Sequence, residues 1–273
     1  MPVVSRNRVL LRAWPLGLVV ALALLTGGNS PDTAVAGVVL VVNNNGDQSD
    51  AVAGGACDVN LFQVGDQCTL RAALELSFAG TQIHFDLANC PGVGCTISPG
   101  SDLPAAGDAS IHIDGTTEPD YAGTPLVTLD GTGGGTTNGL TLAADNIEVR
   151  GLVIRDFTGA GIFAQFSGYI YGWIIQGNVI TNNGGVGIGL PPGQNGGGTG
   201  HQILDNVISD NGGDGINGAT CPQAILIEGN VITQRDEVGF DAAIGHGPKG
   251  AERSDAVGGR ARRIIVAGVR RGA

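Results

Sequence analysis

The chain repeats itself over residues 147–240, and this repeat restricts its fold more than any other feature of the sequence. Three segments read almost alike: IIQGNVITNNGGVGI from Ile174, QILDNVISDNGGDGI from Gln202 and LIEGNVITQRDEVGF from Leu226. A fainter copy, EVRGLVIRDFTGAGI, begins at Glu148. The Val-Ile pairs of consecutive copies lie 26, 28 and 24 residues apart, and a period of this length is typical of solenoid proteins.

The residue types within each copy favour strands over helices. Short runs of β-branched residues are interrupted by Gly, Asn and Asp, and no copy holds the run of about ten residues at helical spacing that a helical repeat needs. We therefore predict an all-β fold, a parallel β-helix in which each coil stacks on the previous one at about 4.8 Å.

The repeat also places asparagines above one another. A Gly-Asn or Asp-Asn pair separates two strands in each full copy, and these residue types tolerate the left-handed backbone of a sharp corner. In the stacked coils Asn178, Asn206 and Asn230 then form a row whose amides hydrogen-bond along the axis as a ladder. We predict that this row is structural, and that the nearby turn residue Asn211 lies outside it.

Residues 1–36 have the composition of a secretory signal peptide. Three arginines precede an apolar stretch over residues 16–25, and the small-residue sequence Ala34-Val35-Ala36 follows. The apolar stretch is too short to cross a bilayer, and no later stretch reaches about 18 apolar residues. The chain is therefore predicted to be exported by this peptide, to be secreted or held at the cell surface, and to have no transmembrane segment when mature.

The remaining chain divides into three parts. Residues 37–109 are predicted to form a disulfide-tied N-terminal cap and the first strands, and residues 110–250 to form the coils. Within the cap, residues 70–78 carry apolar side chains at helical spacing, which predicts a helix that covers the unpaired edge of the solenoid. Residues 251–273 are rich in arginine and lack corner motifs, so we predict a basic, disordered tail.

Five cysteines lie in the exported part of the chain. Cys57 and Cys68 bracket a short loop, as do Cys90 and Cys95, so two local disulfides are the simplest pairing in an oxidising compartment. Cys221 is left over and is interpreted as a buried thiol at a corner.

The charge of the chain limits its partners. Residues 37–250 contain 22 Asp and Glu against 5 Lys and Arg, which gives 5 − 22 = −17. A body this acidic argues against nucleic acid, whose phosphates require basic patches. It is compatible with neutral glycans or with cations.

Several phrases resemble the CSLREA-type domain, which opens many bacterial secreted proteins that carry right-handed parallel β-helix repeats of the pectate-lyase-like fold. The phrases are CTLRAAL from Cys68, IHFDL from Ile83, IDGTTEPDY from Ile113, VTLDG from Val127 and GLVIRDF from Gly151. The resemblance covers residues 38–241 and implies a right-handed fold and export. It implies little about chemistry, because one fold hosts many functions.

The cap helix departs from the motif of that family. Thr69 and Ala72 stand where the motif has Ser and Glu, whereas Arg71 is kept. The Arg–Glu pair that the motif implies therefore lacks its acid, and Glu75 from the next turn is the residue that could replace it.

Carboxylates on the repeats are the first candidates for catalysis, because several β-helix proteins cleave acidic polysaccharides. We identify Asp210, Asp214, Asp241 and His246 as candidate catalytic residues. Asp156 lies two rungs from Asp210, about 9.6 Å, close to the range of about 6.5 to 9.5 Å between the carboxyl groups of inverting glycosidases. The alternative is that Asp and Asn occupy these columns because corners require them.

The segment DNGGDG from Asp210 is also the candidate metal site. Calcium takes about six to eight oxygen ligands, and Asp210 and Asp214 would supply two carboxylates beside backbone carbonyls. Calcium is accordingly the one cofactor that the sequence suggests.

Aromatic residues precede the longest interruption of the repeat, residues 191–200. Tyr169, Tyr171 and Trp173 are candidates for stacking on sugar rings, and an aromatic row in the core is the alternative. The sequence thus favours a secreted or surface-associated β-helix protein that contacts extracellular carbohydrate without catalysis. A polysaccharide lyase or glycoside hydrolase that acts on acidic polysaccharide is the alternative.

Overall fold

A computed structural model of the chain describes residues 37–91, 95–165, 170–190, 200–218, 225–233, 238–239 and 264–266. Within these ranges the chain forms one α-helix, α1 (Leu70–Leu76), and short strands separated by corners. The strands are β1 (Val39–Val42), β2 (Gln82–Phe85), β3 (Thr96–Ile97), β4 (His112–Asp114), β5 (Val127–Asp130), β6 (Leu140–Leu142), β7 (Glu148–Arg150), β8 (Leu152–Arg155), β9 (Ile162–Ala164), β10 (Ile174–Gln176), β11 (Val179–Thr181), β12 (Ile188–Gly189), β13 (His201–Leu204), β14 (Val207–Ser209), β15 (Ile216–Asn217), β16 (Ile225–Glu228), β17 (Val231–Thr233), β18 (Val238–Gly239) and β19 (Ile264–Val266).

The strands assemble into three sheets that the chain visits in turn. The first sheet has the order β1-β2-β4-β7-β10-β13-β16-β19, the second β17-β14-β11-β8-β5-β3 and the third β18-β15-β12-β9-β6. Every named pair is parallel except β16 with β19, which is antiparallel. Each strand therefore pairs with the equivalent strands of the coils before and after it, and this is the parallel β-helix that the repeat predicts.

The register of the coils agrees with the sequence alignment. Ile175 pairs with Ile203 in the first sheet, and Ile180 pairs with Ile208 in the second. Side chains at these positions point inward and are fully buried. In the first sheet the inward column continues across six coils, and its members are Ile83, Ile113, Val149, Ile175, Ile203 and Ile227.

Corners between the first and second sheets use left-handed backbone, as the sequence predicts. Gly177 and Gly229 have φ of 65° and 72°, and Asp205 adopts φ 54° at the equivalent position. Each of these residues directly precedes an asparagine of the predicted row. A side chain other than Gly, Asn or Asp would be strained there.

Asn178, Asn206 and Asn230 form the predicted ladder inside the solenoid. The Oδ1 of Asn206 accepts from both the backbone N–H and the Nδ2 of Asn178, each at 3.0 Å. The Oδ1 of Asn230 accepts the same two bonds from Asn206 at 2.9 Å. Below the row, the backbone N–H of Leu152 donates to Asn178, so the ladder ends on a backbone group.

A second ladder corrects the prediction for Asn211. The Oδ1 of Asn211 accepts from the backbone N–H and the Nδ2 of Asn183, and both side chains are buried. This row stands at the corner between the second and third sheets, where the backbone N–H of Phe157 donates to Asn183. Asn211 is therefore a ladder residue at a second corner of the coil, where its amide bonds the backbone of the preceding coil.

The N-terminal cap contains helix α1 and the two predicted disulfides. Thr69 caps the helix, since its hydroxyl accepts from the backbone N–H of Ala72 at 3.1 Å. Thr therefore serves the capping role as Ser would. The sulfur atoms of the Cys57–Cys68 and Cys90–Cys95 pairs lie within bonding distance.

Arg71 is fixed by an acid other than the one that the sequence suggested. Its guanidinium forms an ion pair with Asp47 at 2.9 Å and donates to the backbone carbonyls of Ser101 and Asp102. Glu75 instead accepts from the backbone N–H of Asp50 at 2.9 Å. The proposed replacement by Glu75 is wrong, because the loop after β1 brings Asp47 to Arg71 first.

Only one part of the C-terminal tail is described. Strand β19 lies antiparallel to β16 at the end of the first sheet. Cys221, the remainder of residues 251–273 and residues 1–36, which the sequence predicts to be a signal peptide, lie outside the described residues. No described helix has the length and apolar character needed to cross a membrane.

Candidate functional site

The two candidate catalytic carboxylates that the structure describes lie at a corner of the coil. Asp210 is exposed and adopts φ 59°, the left-handed conformation that its neighbours Asp156 and Asn182 also adopt at equivalent corners. Asp214 is half-buried and accepts a hydrogen bond from the Nδ2 of Asn217 at 2.6 Å. These positions match the corner alternative that the sequence left open.

Three further candidates lie outside the described residues: the catalytic candidates Asp241 and His246, and the sugar-stacking candidate Tyr169. Among the residues that are described, no group of three or more His, Cys, Asp or Glu side chains is arranged to hold a metal ion. Asp210 and Asp214 thus remain the only described part of the calcium hypothesis.

The structure corrects the interpretation of Trp173 as a surface residue. Trp173 is fully buried, and its Nε1 donates to the backbone carbonyl of Ala144 at 2.7 Å. Its ring packs edge-on against His201, with ring centroids 5.3 Å apart. Because both faces lie within the protein, Trp173 offers no surface for a sugar, whereas Tyr171 is 40% exposed.

His201 is an imidazole that burial keeps neutral. It is buried, and its Nδ1 accepts from the backbone N–H of Trp173 at 3.3 Å, which puts the proton of the neutral ring on Nε2. Burial lowers the pKa of His201 to about 4, although the backbone of Ile170 and the charge of Asp145 act in the opposite direction. A charged imidazole at this position would therefore work against the fold.

The outward side of the first sheet brings together titratable residues that lie far apart in the sequence. Strand alternation turns Ile113 and Val149 inward, so their neighbours on β4 and β7 point outward. We call these neighbours, with one residue of β2, the polar face; its members are His84, His112, Asp114, Glu148 and Arg150. The parallel register sets His112 beside Glu148, and Asp114 beside both His84 and Arg150.

Glu148 lies at the centre of the polar face. Its carboxylate is 3.5 Å from the Nδ1 of His112, and Arg150 donates to its Oε1. The Glu148 side chain is only 10% exposed, whereas those of His112 and Arg150 are 43% and 40% exposed. An almost buried acid thus orients two accessible basic side chains.

The carboxylate of Asp114 is hydrogen-bonded within the corner that follows its own strand. Its Oδ1 accepts from the backbone N–H and the hydroxyl of Thr116, at 2.9 Å and 2.6 Å. This arrangement caps the short 3₁₀ turn Gly115–Thr117 that follows β4. A similar cap follows β5, where burial raises the pKa of Asp130 but the hydrogen bonds from Thr132 and the charge of Arg155 outweigh it and lower the pKa.

Amide side chains extend the outward side of the first sheet beyond the polar face. Gln82 precedes it on β2, and Gln176 and Gln202 follow it on β10 and β13. All three are half-buried. Tyr171 lies three residues before β10, at the edge of the same sheet.

A separate cleft of about 610 Å³ lies in the N-terminal cap. Eight of its ten lining residues carry an amide or a carboxylate. We call it the cap cleft; it is lined by Asn43, Asn44, Asn45, Gln63, Asp66, Gln67, Asp86, Leu87, Ala88 and Asn89. The alternation of β1 and β2 predicts neither the cleft nor its depth, because a disulfide loop forms one wall.

One family model matches the chain, over residues 123–247, and its description is a right handed beta helix region. This description supplies the hand of the coils. The fold is a right-handed parallel β-helix. The match includes β7 with Glu148 and Arg150, but the β-helix residues His84, His112 and Asp114 and the whole cap cleft precede it.

No curated protein and no solved structure matches the chain.

Proposed function

We propose that the protein is an exported, noncatalytic β-helix that binds extracellular polysaccharide on the outward side of its first sheet. One observation carries the proposal: this surface presents amide, imidazole, guanidinium and carboxylate groups on successive strands, at the strand spacing of about 4.8 Å. Hydroxyl groups of a sugar both donate and accept hydrogen bonds, so a mixed row of this kind suits a glycan laid along the solenoid axis.

The two carboxylates of the polar face favour binding over catalysis. Glu148 is engaged by His112 and Arg150, and Asp114 accepts two hydrogen bonds from Thr116. A glycosidase needs one carboxyl group to donate a proton and a second to act as a base or nucleophile. Neither Asp114 nor Glu148 can take such a role without giving up partners that hold its strand or corner.

Export rests on the sequence features and on the disulfides. Residues 1–36 read as a signal peptide, and the resemblance of the cap to the CSLREA-type domain implies the same route. Two local disulfides suit an oxidising compartment. An extracellular polysaccharide is then the polymer that the exported protein would meet.

Binding to immobilised polysaccharides tests the proposal. The full chain, recovered with its disulfides formed, should be retained by at least one member of a panel of neutral and acidic polysaccharides. Gln202→Ala and Tyr171→Ala should each weaken retention about three- to tenfold, since each removes one of several contacts, a loss of about 1 kcal/mol. Thr128→Ala, on the outward side of the second sheet, is the matched control and should bind as the unaltered chain does.

Two results would contradict the proposal. The first is that no polysaccharide of the panel is retained. The second is that Gln202→Ala and Thr128→Ala bind equally well while both proteins remain folded by circular dichroism.

The alternative of a polysaccharide lyase or hydrolase has one observation in its favour. His112 is accessible and its Nδ1 lies 3.5 Å from Glu148, and a carboxylate that orients an imidazole is a common arrangement for a general base. Under this alternative, reducing ends or unsaturated products appear from pectin, alginate or a glycosaminoglycan, and His112→Ala abolishes them. Under the binding proposal, no product forms with either protein.

A further inference from the structure

The cap cleft has walls that are fixed before any ligand arrives. Asn43 joins two of them, because its Nδ2 donates to the backbone carbonyl of Asp66 at 2.9 Å and its Oδ1 accepts from the backbone N–H of Cys68 at 2.9 Å. The Cys57–Cys68 disulfide ties the same loop to the cap. The opposite wall, residues 86–89, follows β2 directly, and the Asp86 N–H donates to the carbonyl of Val42 on β1.

Several polar groups in the cleft have no use in the fold. The Oε1 of Gln67 is buried and has no hydrogen-bond partner among the described residues. In that same part of the chain, the carboxylates of Asp66 and Asp86 take part in no hydrogen bond or ion pair. Both carboxylates are exposed, so they are accessible to a ligand in the cleft.

The charge of the cleft selects among ligands. Two carboxylates and no Lys, Arg or His line it, so an anionic sugar would be repelled. The carboxylates accept hydrogen bonds, and the side-chain amides of Gln63 and Asn89 can both donate and accept. A ligand with several uncharged hydroxyl groups fits this mixture, because each hydroxyl also donates one bond and accepts others.

Two apolar side chains adjoin Gln63 in the sequence. Phe62 and Val64 flank it along the loop, and both are fully exposed. The exposed ring of Phe62 is available to a sugar that extends from the cleft along the loop.

We propose that the cap cleft is a saccharide-binding site for neutral sugars, separate from the polar face. The two sites have no residue in common. The inference therefore goes beyond the proposed function and does not depend on it. The cleft discriminates against uronic acids and other anionic sugars, whereas the polar face carries His112 and Arg150 and has no such restriction.

Calorimetric titration with soluble oligosaccharides tests this site. The probes are neutral gluco-, xylo- and manno-oligosaccharides, with oligogalacturonate as the acidic comparison. At least one neutral probe should bind the full chain, and oligogalacturonate should not bind in the cleft. Gln63→Ala and Asp86→Ala should each raise the Kd of the neutral probe at least tenfold.

The controls separate this site from the polar face and from unfolding. Asp120→Ala removes an exposed carboxylate outside the cleft and should leave the Kd unchanged. Gln202→Ala tests the polar side of the first sheet and should also leave it unchanged. Asp86→Ala should melt at the temperature of the unaltered chain, because the Asp86 carboxylate has no partner among the described residues.

Three outcomes would overturn the inference: no neutral probe binds, the cleft variants bind as tightly as the Asp120→Ala control, or Gln202→Ala abolishes binding of the probe instead. The third outcome would move the ligand to the outward side of the first sheet and support the proposed function alone. Retention on polysaccharide with no effect of the cleft variants would likewise leave the proposed function standing without this site.

Discussion

Single amides join consecutive coils of this solenoid. Asn206, in the middle of the row, donates its Nδ2 both to the next amide, that of Asn230, and to the backbone carbonyl of Ile175, each at 2.9 Å. Its Oδ1 accepts two bonds from the preceding coil. One side chain thereby satisfies corner groups of three coils that water cannot reach, which is the requirement for polar groups in a core.

Removal of the middle ladder residue should therefore be costly. Asn206→Ala leaves the N–H and amide of Asn178 and the carbonyl of Ile175 short of partners, and we expect a loss of about 2 to 4 kcal/mol in the free energy of unfolding. Denaturant melts measure this loss. Asn217→Ala is the matched control, since among the described residues the half-buried Asn217 side chain bonds only the Asp214 side chain, and this variant should lose less than about 1 kcal/mol.

The second ladder adds a check on the same reasoning. Asn211 is buried and accepts two bonds from Asn183, so Asn211→Ala should resemble Asn206→Ala and not Asn217→Ala. Equal small losses in all three variants would contradict the stacking of both rows.

Among the elements, the cap is held by contacts that no repeat supplies. Helix α1 is only seven residues long, so its own hydrogen bonds cannot stabilise it alone. Its buried side chains join the core, and Arg71 ties it to the loops at Asp47 and at residues 101–102.

Arg71 should therefore be the most sensitive charged residue of the cap. The Arg71 side chain is 11% exposed. Arg71→Ala removes the ion-pair partner of Asp47 and the donors to two backbone carbonyls, so it should lower the free energy of unfolding by about 2 to 3 kcal/mol. Arg71→Lys should recover only part of this loss, because an ammonium group lacks the planar fork that reaches three partners. Thermal melts compare these variants with Arg155→Ala. Because the Arg155 side chain is 41% exposed, its removal should lower the free energy of unfolding by less than about 1 kcal/mol.

For the molecule as a whole, acid should destabilise the fold in two separate ranges. The folded-state pKa of His201 is about 4 and its ordinary value 6.5, so below 6.5 the unfolded chain binds a proton that the folded chain excludes. The stability that neutral His201 contributes is present above pH 6.5 and is lost as the pH falls toward about 4, in total about 3 kcal/mol. The contribution of Asp130, whose pKa is lowered from 3.8, is lost only at pH below that value.

Denaturant melts between pH 7 and pH 4 test the first range. His201→Gln should flatten the fall in stability over this range, because glutamine takes up no proton. Thr128→Ala, which changes no titratable group, should keep the slope of the unaltered chain. If the His201 variant keeps that slope as well, the neutral state of this imidazole is not the cause.

The sequence by itself determined how the coils stack, because the residues that specify each coil are close together in the chain and recur in every copy. Equivalent positions recur at 26, 28 and 24 residues, so stacking at one pair fixes the register of all the others, and Asn178, Asn206 and Asn230 could be aligned before any coordinates. The second ladder was readable in the same way from Asn183 and Asn211. It was missed because the preceding coil has Phe157 in that column and the row looked like an ordinary turn.

Tertiary structure alone decided which chemical groups meet. His112 and Glu148 are paired across irregular early coils whose loops differ in length, so no repeat spacing relates them. The cap cleft joins three separate segments, and its walls follow from how a disulfide loop folds back on the ends of β1 and β2. The position of Trp173 was also decided by the tertiary structure. The sequence was compatible with an aromatic residue on the surface or in the core, and the contacts of the ring with His201 and Ala144 place it in the core.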